Sequence, residues 1–151
     1  MDDIDVKILE ILQKHGRTRR NDLAEAVGLS LPAASERLRK LEEQEVITGY
    51  FAKVDSKKLG RDITAFIHVT VDSSKHYGSF LEHAQSLDDV LECHAITGEG
   101  THLLKVRTTN TASLEKLLAK IQAWTGVTRT HTNLVLSTTK ETFRIKVEPS
   151  R

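Results

Sequence analysis

The chain has 151 residues, of which 22 are Lys or Arg and 21 are Asp or Glu, so its formal net charge is only +1. This length suits one domain of ordinary size or two small ones, and the near-zero charge points to no particular class of partner. No apolar run approaches the ~20 residues that span a bilayer, and the acidic N-terminus is unlike a secretory signal, so we expect a cytoplasmic protein with no membrane partner. The single cysteine, Cys93, cannot form an internal disulfide, which suits a reducing compartment.

The first predicted element is a helix from Asp3 to Lys14. Acidic residues at its start favour the positive end of the helix dipole. Its apolar residues recur at helical spacing and are Ile4, Ile8, Leu9 and Leu12. This helix is expected to pack against the two that follow.

Residues 21–47 predict two helices joined by a tight glycine turn. Gly28 marks the end of the first helix, because glycine tolerates positive φ there, and Ser30 is the predicted N-cap of the second, with Pro32 in its first turn. The predicted buried residues are Leu23, Ala24 and Val27 in the first helix and Leu31, Ala34, Leu38 and Leu41 in the second. This pattern is typical of a helix-turn-helix, whose second helix enters the DNA major groove.

The outward side of the second helix suits double-stranded DNA. Small residues near its start allow close approach to the floor of the groove, and Arg and Lys side chains further along can reach phosphates. The predicted DNA contacts, which include two arginines just before the first helix of the pair, are Arg19, Arg20, Ser30, Pro32, Ala33, Ser35, Glu36, Arg37, Arg39 and Lys40.

The predicted DNA-binding half carries no net charge. Residues 1–60 contain 11 Lys or Arg and 11 Asp or Glu, so one copy should bind DNA weakly. We therefore expect a homodimer or a larger assembly that presents several copies to DNA at once. The alternative interpretation of this region is a three-helix bundle that binds another protein.

Two domains are predicted, divided by a polar linker. Residues 46–54 are rich in β-forming residues and predict a short strand or wing, which makes residues 1–54 a winged helix-turn-helix domain. Residues 55–61 are polar, contain Gly60 and form the predicted linker. Residues 62–151 form the second predicted domain.

The second domain is predicted to be a ferredoxin-like βαββαβ sandwich, which places the chain in the α+β class. Its predicted strands are 63–71, 90–97, 102–108 and 127–138, and its predicted helices are 77–87 and 112–124. The helices should cover one face of an antiparallel sheet. The open face is expected to carry apolar residues, which indicates that another copy covers it. Residues 142–147 alternate in polarity and could add an edge strand or pair with a partner.

Both halves together resemble the leucine-responsive and asparagine-responsive (Lrp/AsnC, or feast/famine) family of regulators. The resemblance rests on residues 2–9 (DDIDVKIL), on L23-A24 followed by V27-G28-L29-S30, and on R37-L38-R39-K40-L41-E42 leading into V46-I47. In the second half it rests on residues 90–94 (VLECH), on T97-G98 and on residues 103–106 (LLKV). The resemblance implies a DNA-binding transcriptional regulator of metabolism that forms dimers, often assembled into tetramers or octamers. It also implies a small-molecule effector, commonly an amino acid, at a subunit interface.

Two positions depart from the family pattern. Glu45 stands where members often have a glycine at the end of the recognition helix, so this helix is expected to run on or to end through another cap. The predicted effector-binding residues are Gly98, Glu99, Gly100, Thr101 and His102. Members often carry an acid where this chain has Thr101, so free amino acids should bind weakly or not at all, and the chain could sense another metabolite or none. The alternative is that this loop is only a hairpin turn.

Metal and catalytic sites have little support in the sequence. His94 and His102 lie at mirror-image offsets about Gly98 and could face each other across a strand pair, with His131 on a third strand. The local spacing that zinc sites use is missing, so no metal and no cofactor are expected. Catalytic motifs are also missing, Cys93 is expected to be a small core residue, and no enzyme activity is predicted. The alternative is an enzyme like the siroheme decarboxylases, which share the two-domain architecture.

Overall fold

The computed structural model describes residues 1–149, which form two compact units. The first unit comprises residues 1–53 together with the C-terminal segment from residue 140, and the second comprises residues 54–139. No helix among the described residues is both long enough and apolar enough to cross a membrane.

The first unit contains three helices: α1 (Asp3–Lys14), α2 (Arg20–Val27) and α3 (Leu31–Glu43). Each helix has a local signal at one end. Asp2 and Asp5 form a reciprocal capping box at the start of α1. Gly28 ends α2 with a left-handed φ of 71°, and the Ser30 side chain caps α3. The predicted helices and the turn between α2 and α3 are therefore confirmed.

A small apolar core holds the three helices together. Its buried side chains are Ile8, Leu9, Leu23, Leu38 and Leu41. Leu31 was predicted on the same face of α3 but is 44% exposed. It is the first residue of α3, and the more buried residues of this helix begin one turn later, at Ala34.

The end of α3 is well defined although the chain has no glycine there. The Val46 N–H donates to the Leu41 carbonyl at 2.9 Å and the Glu45 N–H to the Glu42 carbonyl at 3.0 Å. These two bonds form a Schellman motif, whose C′ position requires a left-handed backbone. Glu45 adopts that conformation, with φ of 55°. The helix therefore ends through the usual cap with an unusual residue.

The segment after α3 differs from its sequence prediction. Residues 46–54 were expected to form a strand or wing, but no strand is assigned among them. The Val46 and Ile47 N–H groups both donate back to the Leu41 carbonyl of α3. A strand needs a ladder of bonds to a neighbouring chain segment, and local sequence does not supply that neighbour.

The second unit has the predicted βαββαβ order. Its elements are β1 (Ile63–Val71), α4 (Tyr77–Ser86), β2 (Val90–Ala95), β3 (His102–Thr108), α5 (Thr111–Gln122) and β4 (Val127–Leu134), with a short 3₁₀ turn (Ser74–His76) before α4. The sheet order is β2-β3-β1-β4, and all pairs are antiparallel. The predicted α+β class and ferredoxin-like sandwich are confirmed.

The core of this unit lies between the sheet and its two helices. Alternate residues of β1 and β3, such as Ala65, Ile67 and Leu104, are fully buried there with Phe80 of α4 and Ile121 of α5. The residues between them point to the other face of the sheet. That open face is more polar than predicted, since its central positions are Phe66, His68, Leu103, Lys105, Arg107, His131 and Asn133. Phe66 and Leu103 supply its large apolar side chains.

The C-terminal segment also differs from its prediction. Residues 142–147 were expected to form a strand in the second domain, but no strand is assigned there and the segment belongs to the first unit. The Gln13 side chain exchanges two hydrogen bonds with the Ile145 backbone, at 2.7 and 2.9 Å, and Val147 packs against the helical core. The predicted domain range of 62–151 therefore extends past the end of the compact second unit.

Candidate nucleic-acid interface

The start of α3 presents small side chains to solvent. The Ser30 hydroxyl accepts the Ala33 N–H at 3.4 Å, which fixes the first turn. Pro32 and Ala33 are exposed in that turn, whereas Ala34 and Leu38 on the opposite side are buried. One side of α3 thus packs in the core, and the small residues Pro32 and Ala33 lie exposed in the first turn.

The structure places the predicted DNA-contacting residues at different depths. Ser35 and Arg37 are half-buried. The others are exposed and are Arg19, Arg20, Ser30, Pro32, Ala33, Glu36, Arg39 and Lys40. Arg19 precedes the first residue of α2 and makes no side-chain capping bond, so its side chain does not help to begin that helix.

Arg37 has a structural partner that the sequence prediction missed. Its Nη1 donates to the carboxylates of Asp2 at 2.6 Å and Asp5 at 2.9 Å, which ties α3 to the start of α1. The pKa of the Asp2 carboxyl lies below its usual range because the Asp5 N–H and the Arg37 guanidinium both stabilise the charged form. Arg37 therefore contributes to the packing of the three helices.

Arg39 is held by two carboxylates on its own helix. Its Nε and Nη2 donate to the two oxygens of Glu36 at 2.9 and 2.7 Å, and its Nη1 donates to Glu43. Lys40 Nζ lies 3.8 Å from the same Glu36 carboxylate. Arg39 lowers the pKa of Glu36, chiefly through the side-chain hydrogen bond. Glu43 was missed as a member of this surface, although its spacing of four residues from Arg39 is a known signal for a helical ion pair.

The glycine loop of the second unit is a tight reversal in which two predicted site residues point inward. Gly98 and Gly100 have positive φ values of 91° and 80°. The Thr101 Oγ1 accepts the Val71 N–H at 3.0 Å and lies 2.9 Å from His102 Nδ1. A Cβ at position 100 would lie 3.0 Å from the Val69 carbonyl oxygen, so glycine is needed for this close approach.

His102 is a core residue. It is 2% exposed, and its ring contacts those of Tyr77 and Phe80 at centroid distances of 4.8 and 4.7 Å. Burial lowers its pKa, because desolvation penalises the charged imidazolium. The Thr101 hydroxyl and the His102 ring therefore make their contacts within the protein, and both side chains have a structural role in the loop.

Glu99 is the charged side chain that the loop presents to its surroundings. Its carboxylate lies 3.7 Å from Arg129 Nη2 and 3.8 Å from His131 Nδ1. Its carbonyl oxygen is 3.2 Å from His68 Nδ1, and the His68 and His131 rings lie edge to face, 6.1 Å apart. The loop and the open sheet face thus share a polar cluster of Glu99, His68, Arg129 and His131.

The suggested facing of His94 and His102 is wrong. His94 pairs with Leu103, and His102 pairs with Ala95, so the two histidines lie on opposite faces of the sheet. His131 does lie on a further strand, β4, where it pairs with His68. Within residues 1–149 no three His, Cys, Asp or Glu side chains are placed to hold a metal ion. Cys93 is half-buried against the core, and burial raises its thiol pKa.

A helix-turn-helix unit followed by a βαββαβ unit, together with the two family models that they match, defines a DNA-binding transcriptional regulator with a ligand-binding domain. Residues 1–48 match the model of the winged helix-turn-helix DNA-binding family, and residues 64–145 match the model of the Lrp/AsnC ligand binding domain. The chain belongs to the Lrp/AsnC family of transcriptional regulators.

Several relatives are similar over most of their length. An uncharacterized HTH-type transcriptional regulator, YezC of Bacillus subtilis, is 46% identical over 118 residues, which cover 78% of this chain and 83% of that protein. The leucine-responsive regulatory protein of Escherichia coli is 32% identical over 98% of this chain and 92% of its own length.

Solved structures of regulators have the same fold. Escherichia coli AsnC is 33% identical, with a TM-score of 0.89 over 97% of this chain and 99% of that one. The Neisseria meningitidis regulator NMB0573, solved as a complex with L-Met, has a TM-score of 0.92 at 28% identity, covering 96% of each chain. These relatives support a regulator over an enzyme of the siroheme decarboxylase kind.

Proposed function

We propose that this regulator binds duplex DNA by inserting the start of α3 into the major groove. Pro32, Ala33, Ser35 and Glu36 would meet base edges, and the basic residues would meet phosphates. The observation that carries this proposal is the pair of exposed small residues, Pro32 and Ala33, in a Ser30-capped first turn whose opposite side is buried. Of the predicted basic contacts, Arg19, Arg20, Arg39 and Lys40 remain in the proposal. Arg37 is left out of the proposal because its pairs with Asp2 and Asp5 join α3 to α1, whereas the Arg39 pairs lie within α3.

A bulky charge at Ala33 tests this docking. Ala33→Glu should lower affinity for the operator at least about 10-fold, because a carboxylate would face phosphates and base edges at close range. The matched control is Ala119→Glu, the same change at an exposed position of α5 in the other unit. Affinity is measured by fluorescence anisotropy on an operator recovered by genomic crosslinking. Equal affinity of a folded Ala33→Glu protein and the control would overturn the assignment of α3.

We propose further that the chain acts as a dimer or a higher homo-oligomer in the cytoplasm, where bacterial and archaeal chromosomes lie. Two observations support assembly. One face of the sheet is not covered by the helices of its own unit. In addition, a DNA-binding half without net charge gains affinity when several copies bind together.

For the effector, we propose a small carboxylate-bearing molecule at residues 98–102. Backbone N–H groups of a glycine turn can hold a carboxylate. Thr101 supplies no charge for an ammonium group, so Glu99 is the acid that the proposed site offers. The L-Met complex of the Neisseria relative supports amino acids as the class to test first.

The effector test is a thermal-shift screen of the twenty amino acids against the natural chain and Glu99→Gln. A ligand at 100 times its Kd adds about 2.7 kcal/mol to the free energy of unfolding. Stabilisation of the natural chain that is lost in Glu99→Gln supports the site. Equal stabilisation of both proteins removes Glu99 from it, and stabilisation of neither protein identifies the loop as a structural hairpin.

A further inference from the structure

On the outward side of α3, two carboxylates surround one guanidinium. We call Glu36, Arg39 and Glu43 the Arg39 clamp. Three guanidinium nitrogens of Arg39 donate within it, two to Glu36 and one to Glu43. Its members remain accessible to solvent, since their side chains are 52%, 48% and 57% exposed for Arg39, Glu36 and Glu43. The Arg39 guanidinium is thus exposed to solvent while its N–H groups are hydrogen-bonded to carboxylates.

A carboxylate and a phosphate compete for the same guanidinium edge. Arg binds both anions through a planar fork of N–H donors, so a bidentate Glu36 pair uses donors that a phosphate would use. Exposed ion pairs of this kind are weak, because solvent screens both charges. The clamp is therefore strong enough to bias Arg39 in the free protein and weak enough to open when DNA supplies a phosphate.

We propose that Glu36 and Glu43 act as an internal competitor that holds Arg39 away from DNA phosphates and so lowers affinity for non-operator DNA. This proposal rests on the proposed docking of α3. A phosphate that Arg39 contacts must first displace these carboxylates, so the clamp lowers the part of the affinity that comes from phosphate contacts. That part dominates on non-operator DNA, where base contacts are missing.

Glu43 gives the cleaner test of the two acids. It lies in the last turn of α3, away from the proposed base contacts, whereas Glu36 is one of them. Glu43→Gln removes one clamp partner and one negative charge. Glu45→Gln is the matched control, because it makes the same charge change two residues further on, past the end of the helix. Each substitution is also combined with Arg39→Ala.

Binding of the full chain to a random-sequence duplex is measured at several salt concentrations. Glu43→Gln should tighten binding at least threefold more than Glu45→Gln, and this excess should vanish in the Arg39→Ala background. Equal gains from the two substitutions, or a gain that persists without Arg39, would overturn the clamp.

Failure of the clamp is distinguishable from failure of the docking proposal. If Ala33→Glu abolishes operator binding while Glu43→Gln behaves like Glu45→Gln, the docking proposal is supported and the clamp proposal is wrong. If Ala33→Glu has no effect, both the docking proposal and the clamp proposal are wrong. Thermal unfolding of each variant identifies any that do not fold, and Glu43→Asp provides a second variant that keeps the charge but shortens the reach to Arg39.

Discussion

Thr101 shows how one side chain can be decisive for a loop without facing a ligand. Its N–H donates to the Val69 carbonyl at 2.8 Å, and its hydroxyl accepts the Val71 N–H at 3.0 Å. The same hydroxyl lies 3.2 Å from the Val69 carbonyl oxygen. The sequence suggested that an acid here would complete an amino-acid site. The observed contacts instead give this position a structural role between β1 and the loop.

Thr101→Asp is expected to destabilise the protein. A carboxylate could still accept the Val71 N–H, but it would lie against the Val69 carbonyl oxygen with no proton to donate. Replacing the hydrogen bond from Thr101 Oγ1 to the Val69 carbonyl with this contact between two acceptors costs about 1–3 kcal/mol in the free energy of unfolding. Urea denaturation measures it, and Thr101→Ser, which keeps the hydroxyl, is the control. A Thr101→Asp protein as stable as the natural chain would contradict the structural role.

Asp2 should make stability depend on pH. Its pKa is below the usual value of 3.8, because the Asp5 N–H and Arg37 favour the carboxylate. An acid whose pKa is lower in the folded state stabilises the fold above its unfolded pKa and loses that contribution as pH falls through the folded pKa. Asp2→Asn keeps a cap for α1 but removes the charge. The Tm difference between the natural chain and Asp2→Asn should therefore be largest at neutral pH and shrink below about 3.8.

One result of the pH experiment would contradict a contribution of the Asp2 charge to stability. A Tm difference that stays constant between neutral pH and strong acid would show that the Asp2 charge contributes nothing and that only its capping role matters. Glu10→Gln, a charge change at an exposed position further along α1, serves as the control for general effects of acid.

At the scale of the element, the end of α3 is stable in a conformation that suits glycine better than glutamate. A left-handed backbone costs a residue with a Cβ roughly 1–2 kcal/mol. Glu45→Gly should therefore raise the free energy of unfolding by about 1 kcal/mol, since the Schellman bonds to Leu41 and Glu42 are already in place. Chemical denaturation measures the gain. Glu45→Ala keeps a Cβ and should show no comparable gain, and if it stabilises equally, removal of the charge is the cause.

Helices with local signals were predictable, but two segments with strand-like composition did not form strands. Caps and apolar spacing defined α1, α2 and α3, because Asp2, Gly28 and Ser30 act within one turn of their own helix. Residues 46–54 and 142–147 have strand-like composition, yet no strand is assigned in either. A strand depends on hydrogen bonds to another segment, and composition alone does not say whether that segment is present.

In the candidate DNA interface, too, local features were predictable and long-range contacts were not. The exposed start of α3 was predictable, since the helical period separates Ala33 from Ala34 and Leu38. The clamp around Arg39 was accessible through its spacing to Glu43 but was overlooked. The Arg37 contacts join α3 to residues 32 and 35 positions away, at the start of α1. Such a pairing depends on how the helices pack, so the local sequence around Arg37 did not reveal its contacts with α1.

At the scale of the whole molecule, assembly and DNA binding should be linked. Residues 1–60 are electrically neutral, so a single copy gains little from phosphate neutralisation, and tight binding requires several copies on one DNA. The open sheet face is the surface that we expect a second copy to cover. Phe66 is a large apolar residue on that face, at a central position between Lys105 and Asn133.

Phe66→Arg should therefore disrupt the dimer and weaken operator binding together. A buried, unpaired arginine in each copy opposes association, and loss of the second copy should lower operator affinity at least about 10-fold through lost avidity. Leu81→Arg is the control, because Leu81 is a 40% exposed residue on α4 in the helix layer. Analytical ultracentrifugation gives the mass relative to the 16.9 kDa chain, and anisotropy gives the affinity. A monomeric Phe66→Arg protein that still binds its operator as tightly as the natural chain would separate assembly from function.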